Sequence, residues 1–288
     1  MGEKVYVGGG ATKKVVDFHL VFQYNTSQDE WSRLPPHSLI RFAMAQFSGY
    51  LITVGGEGAV GGVNITGKVY RFKEESQEWE EFLKPMPTAR CACTVATTQS
   101  AIIATGGASG IRDGKAVAST AVEVYCSETS QWYTADPLPV ACYNSLCITI
   151  SGNCYILGTH VDGMVDNTVL YASLTSLVQK ATSPTRKSAN RTSVWKTLPD
   201  TPLKGSTAAS LSGNLLAVGG WGEGKTTQAV HLFFPLSNSW VRIMTGDLPQ
   251  PRYSCTAVQL SSNTMIVIGG KDKQNKRTKT VFLATVTV

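Results

Sequence analysis

An apolar run that ends in glycine recurs six times along the chain. The runs are Val5–Gly9, Ile52–Gly56, Ile103–Gly107, Tyr155–Gly158, Leu216–Gly220 and Ile266–Gly270, with leading glycines 47, 51, 52, 61 and 50 residues apart. A second landmark follows the first. Tyr24, Phe72, Tyr125 and Phe233 precede Trp31, Trp79, Trp132 and Trp240, each by seven residues. A period of about 50 residues is the mark of a repeat array, whose units bury their faces only against their neighbours. The units run approximately over residues 1–36, 37–87, 88–139, 140–202, 203–251 and 252–288.

This pattern resembles the kelch repeat. The resemblance implies that each unit is one four-stranded propeller blade, in which strand b ends in the glycine doublet, strand c carries the aromatic residue and strand d starts near the tryptophan. The expected fold is therefore all-β, a single six-bladed kelch-type β-propeller over residues 1–288. The first unit enters at strand b and the sixth ends at strand c, so the first strand a and the last strand d are missing. The sequence reads as a piece of a longer chain whose upstream part supplied both strands. Their absence would leave open sheet edges.

Composition narrows the class. The chain is 42% apolar, but its apolar runs are too short to cross a bilayer, so no membrane role is expected. Its seven cysteines, Cys91, Cys93, Cys126, Cys142, Cys147, Cys154 and Cys255, cannot all pair. That odd count, with no apolar leader before Val5, leads to the expectation of a reducing, cytoplasmic setting. Cys91-x-Cys93 lacks a second pair or a neighbouring histidine, so no metal site is assigned. The net charge of +6 sits in two stretches. Lys180, Arg186, Lys187 and Arg191 lie in residues 172–194 without an acid, and residues 271–280 hold five bases against Asp272. The remainder of the chain is no basic platform, and a nucleic-acid partner is not expected.

The fourth unit departs from the pattern, since Tyr171 lies 24 residues before Trp195. The inserted segment 172–194, rich in Ser, Thr and basic residues, is expected to be a flexible loop too polar to pack. Ser183-Pro184 and Arg186-Lys187-Ser188 within it are candidate phosphorylation sites. Two other motifs mislead. Gly219-Gly220-Trp221-Gly222-Glu223-Gly224-Lys225-Thr226 spells a phosphate-binding loop, and Gly56-x-Gly58-x-x-Gly61 a dinucleotide fingerprint. Each chemistry needs a helix whose N-terminus faces the phosphates, and the residues that follow alternate as a strand or form a loop. His19, His37, His160 and His231 fall in different units. No catalytic residue, cofactor or metal ligand is assigned, and the protein is not expected to be an enzyme.

Alternating strand direction puts the b–c and d–a loops on one face of a propeller. The family resemblance implies that this face binds partner peptides, with arginines after a P-x-x-R segment contributing. Pro87-Thr88-Ala89-Arg90 and Pro249-Gln250-Pro251-Arg252 match that segment, and Arg41 follows Pro35-Pro36 in a similar place, while Cys142 and Gly205 stand for the arginine in units four and five. The candidate partner-binding residues on this rim are Arg41, Arg90, Arg112, Tyr143, Asn144, His160, Trp221, Arg252, Tyr253 and Lys271. An arginine-lined mouth favours an acidic or phosphorylated peptide. The expected function is protein–protein interaction, with a substrate-recognition role in a ubiquitin-ligase adaptor as one form of it. Cytoskeletal binding and a kelch-fold enzyme acting on a sugar or small metabolite are the alternatives. The sequence assigns no oligomeric state.

Overall fold

Strands form where β-branched and small residues alternate, and they pair antiparallel in chain order. The computed structural model describes residues 4–8, 19–58, 64–113, 115–158, 160–161, 164–183 and 192–285. The chain divides into two compact units, Met1–Ser145 with Val161–Gly163 and Ser173–Trp195, and Leu146–His160 with Met164–Ala172 and Lys196–Val288.

In the first unit, Lys4–Gly8, Val21–Asn25 and Glu30–Arg33 form a three-stranded sheet. Ala43–Phe47, Tyr50–Gly58, Ile65–Lys73 and Glu78–Leu83 form the second sheet, with Leu39–Ile40 paired to the far end of Tyr50–Gly58. Thr94–Thr97, Ala101–Thr105, Val122–Cys126 and Gln131–Thr134 form the third, and a ribbon of Ala108–Arg112 and Lys115–Ala118 follows its glycine doublet. The second unit holds a sheet of Leu146–Ile150, Asn153–Leu157, Val169–Ser173 and Lys196–Leu198. Next comes the sheet of Thr207–Leu211, Asn214–Gly222, Lys225–Phe234 and Ser239–Ile243. The last has three strands, Thr256–Ser261, Thr264–Ile268 and Val281–Thr285. Among the described residues the first sheet has no strand a and the last no strand d.

The repeat landmarks do the packing. In four sheets the strand-c aromatic lies directly across from the tryptophan, as Tyr24–Trp31, Phe72–Trp79, Tyr125–Trp132 and Phe233–Trp240. Each later indole N–H also donates to a carbonyl just past the preceding sheet: Trp79 to Pro35 O at 3.0 Å, Trp132 to Lys84 O at 2.7 Å, Trp195 to Asp136 O at 3.0 Å and Trp240 to Pro199 O at 3.0 Å. These indoles, half-buried except for the buried Trp195, thereby bury their faces and satisfy their one donor together. Between the second and third sheets Phe47, Ile52, Val54, Met86, Ile102 and Tyr125 close a core. In the second unit Leu157, Val169, Leu215 and Phe233 close one core, and Val218, Val230, Leu248 and Met265 another.

The glycine doublet brings neighbouring backbones together. Gly55 has φ +66°, and a Cβ there would stand 2.3 Å from Arg90 O. Its neighbour Gly56 donates its N–H to that same carbonyl at 2.9 Å. Gly219 and Gly220 repeat the arrangement around Arg252 O. A Gly55→Ala variant is expected to lose about 2 kcal/mol from the left-handed backbone and the forced retreat of Arg90; chemical denaturation measures it.

The inserted segment corrects the expectation of a flexible loop. Its first half is a helix, α1 (Leu174–Thr182), which buries Leu174, Leu177 and Ala181. Those three residues lie at i, i+3 and i+7, a helical stripe that the segment's overall polarity hides. Ser173 caps the N-terminus by accepting the Ser176 N–H, and Lys180 pairs with Asp136. Residues 184–191 of the segment lie outside the described residues.

Candidate functional site

The two P-x-x-R arginines are structural. Arg90 is 0% exposed, and its NH1 lies 3.1 Å from Oε2 of Glu123, itself buried. Glu123 Oε1 accepts the Thr88 N–H and hydroxyl at 3.0 and 2.8 Å. Arg252 is 1% exposed; it donates to Gln250 Oε1 at 2.9 Å and Pro251 O at 3.2 Å, with its guanidinium 5.2 Å over the Phe282 ring. A binding rim needs accessible cations, so neither residue serves as one. The spacing that suggested a mouth lined by arginine instead marks a buried clamp beneath the glycine doublet.

Arg41 belongs to a different register. It has φ +53°, and its carbonyl accepts the Ala92 N–H at 2.7 Å; the Ala92 carbonyl in turn accepts the Asn144 N–H at 2.9 Å. Ala92 and Asn144 are left-handed as well, at +51° and +54°. Arg41 therefore stands two residues past the position of Arg90. In the second unit Gly205 and Ser254 hold the same place, joined by a Ser254 N–H to Gly205 O bond of 3.1 Å. So Leu203, not Gly205, takes the arginine's position in the fifth repeat. The half-exposed Arg41 guanidinium lies 3.4 Å from Glu57, which offsets its charge.

Of the other rim residues in the first unit, Arg112 is exposed at the tip of its ribbon opposite Lys115, beside exposed Ile111. Tyr143 is half-buried and Asn144 exposed. His160, of the second unit, opens the short strand His160–Val161, and its side chain lies outside the described residues.

Trp221, Tyr253 and Lys271 come together in the second unit. Trp221 and Lys271 occupy one repeat position, the residue after the glycine doublet. Each pairs by reciprocal backbone hydrogen bonds with the chain entering strand a: Trp221 with Lys204, and Lys271 with Tyr253. The Trp221 ring, 45% exposed, meets Tyr253 edge-on with centroids 6.3 Å apart. The Lys271 ammonium lies 5.4 Å over the Tyr253 ring, and the Tyr253 hydroxyl bonds the Asn275 side chain. Exposed Lys204, Lys225, Lys273, Lys276 and Arg277 add positive charge in the same two repeats. Asp272 and exposed Glu223 offset part of it, and Asp272 Oδ1 folds the basic loop by accepting the N–H groups of Gln274 and Lys276 at 3.0 and 2.9 Å. Lys204, Asn275 and Arg277 escape a reading of motifs, since only the pairing across the doublet brings them to this place.

The same geometry disposes of the phosphate-loop motif. Gly222 pairs with Lys225, and Glu223 and Gly224 turn the hairpin at φ +50° and +74°, so a strand follows where a helix is required. Burial pushes the thiols of Cys91, Cys93 and Cys255 up to about 11, which keeps them protonated at neutral pH. Among the described residues no group of three or more His, Cys, Asp or Glu could hold a metal ion, and no helix is long and apolar enough to cross a membrane.

No family model matches the chain. It is 28% identical over 163 residues to Kelch-like protein terF of Aspergillus terreus, a match covering 56% of this chain and 34% of that protein. It is 29% identical over 115 residues to F-box/kelch-repeat protein At1g67480 of Arabidopsis thaliana, covering 39% and 29%. The match thus spans about a third of the length of these curated relatives. The solved structure of YjhT shares the fold with a TM-score of 0.73 over 99% of this chain and 92% of its own, at 15% identity.

Proposed function

We propose that this chain, a six-bladed kelch-repeat β-propeller, is a protein-interaction module that binds an acidic segment of a partner through Trp221, Tyr253 and Lys271. The observation that carries the reading is an exposed tryptophan braced edge-on by a tyrosine under a lysine ammonium. Exposed tryptophans flanked by cations are typical binding anchors, and the surrounding lysines suit carboxylate or phosphate groups. The structured loop 271–280 reduces the ordering cost of binding, because Asp272 already fixes its backbone. The name of the Arabidopsis relative favours a second form of this reading, substrate recognition in a ubiquitin-ligase adaptor.

Selection from a displayed peptide library tests the proposal. Enriched peptides are expected to carry net negative charge, bind less tightly as salt rises, and lose about tenfold in affinity to a folded Trp221→Ala variant. Neutral or basic winners, or equal binding by the variant, would overturn it.

A further inference from the structure

Resting on the binding reading above, we infer that Lys271 and Arg277 together form a subsite for a phosphorylated residue of the partner, in preference to an aspartate or glutamate. The two residues face each other across the ribbon of the loop 271–280 as an antiparallel bridge. The hydrogen bonds on either side, Thr278 N–H to Gly270 O and Asp272 N–H to Lys276 O, both at 3.0 Å, make it a non-hydrogen-bonded pair. In such a pair the α-carbons stand about 4.5 Å apart and the side chains leave the ribbon on one face. Like charges placed directly opposite are destabilising. Among the described residues neither cation forms an ion pair. Asp272 is turned to the loop backbone, where its Oδ1 accepts the Gln274 and Lys276 N–H groups, and Glu223 lies at the turn of the neighbouring hairpin.

The neighbours show how a partner would lie. On its other side Lys271 exchanges both backbone hydrogen bonds with Tyr253, at 3.1 and 2.9 Å, so Tyr253, Lys271 and Arg277 stand abreast. Trp221 meets Tyr253 from the adjacent ribbon with centroids 6.3 Å apart, and the Lys271 ammonium is 5.4 Å from the Tyr253 centroid. An aromatic end and a dicationic end therefore share one row. They are separated by at most about 12 Å, or roughly three to four residues of extended peptide. A single carboxylate brings one negative charge to two cations. A phosphate monoester brings nearly two. Its oxygens suit the planar Arg277 fork in a bidentate contact, with the Lys271 ammonium meeting a further oxygen as a point charge. The match of charge is what selects the phosphate. A nucleic-acid phosphodiester carries only one charge and is the poorer fit.

Three degenerate peptide libraries, alike except for a central phosphoserine, glutamate or serine, test the subsite on the full chain. The phosphoserine library is expected to bind about tenfold tighter than the glutamate library, with apolar residues enriched within about four positions of the centre. Arg277→Ala, at an exposed position, is expected to bring the two acidic libraries to near parity. Lys196→Ala, an equal loss of charge at an exposed position in another sheet, is expected to leave the preference intact. Equal binding of the phosphoserine and glutamate libraries by the native chain, or a preference that survives Arg277→Ala, overturns the phosphate subsite and leaves the acidic-segment reading standing. No gain of either acidic library over the serine library overturns both. Tighter binding of an oligothymidylate than of the phosphoserine library overturns the peptide as the source of the phosphate.

Discussion

Replacing Glu123 by alanine is expected to destabilise the protein by about 3–5 kcal/mol, the cost of stranding a buried charge. Glu123 is 2% exposed and is the one acidic partner of Arg90 among the described residues; the other guanidinium contacts are Ala104 O at 3.4 Å and Met86 Sδ at 3.7 Å. Among the described residues Arg90 Nε already lacks a hydrogen-bond partner. Removing the carboxylate also strands the Thr88 N–H that it accepts. Repacking both positions, as Arg90→Met with Glu123→Leu, is expected to recover most of the loss, because the buried pair's attraction roughly repays its own desolvation. Denaturant unfolding of both single variants and the double completes the cycle. A loss below about 1 kcal/mol for Glu123→Ala would contradict the pairing. An Arg90→Ala change therefore weakens partner capture through the fold, whatever the partner binds.

Acid is the second large lever. His37 is 2% exposed, enclosed by the rings of Phe42, Tyr70 and Trp79 at centroid distances of 4.6, 5.0 and 4.8 Å. Its Nδ1 accepts the Leu39 N–H at 3.0 Å, so the proton resides on Nε2 and is donated to Thr53 Oγ1, also at 3.0 Å. A second proton on Nδ1 would face the Leu39 N–H donor. Burial, with a smaller push from His19, lowers the His37 pKa from 6.5 to about 4, and the Leu39 N–H donated to Nδ1 favours the same neutral ring. The unfolded chain then binds the extra proton below pH 6.5 and the folded one only near 4. Stability contributed by the neutral ring is complete above the upper value and falls by about 3 kcal/mol as the pH drops to the lower one. His37→Asn keeps an acceptor for Leu39 but does not titrate. Unfolding across this window should show the extra pH dependence in the native protein and not in the variant.

The spacing of glycines and tryptophans made the fold legible, because those residues have duties that only they perform: close backbone approach at Gly55 and Gly219, and a packed donor at Trp79, Trp132 and Trp240. The proposed site was legible only in part. Trp221 stood out as a tryptophan off the repeat register, and Tyr253 and Lys271 came with it. Arg90 and Arg252 misled because a one-dimensional segment gives no direction to a side chain, and theirs point inward to Glu123 and Phe282. Arg41 misled by register, two residues from where its prolines suggested. The helix α1 was hidden because three buried residues in nine are outvoted by polar neighbours in any average over the segment.

Hydrogen exchange on the complex with a selected acidic peptide tests the central claim most directly. The account predicts new protection at residues 219–226, 253–254 and 270–278, lost together in Trp221→Ala. Protection confined to the first unit, around Arg41 and Asn144 or the ribbon bearing Arg112, would contradict it.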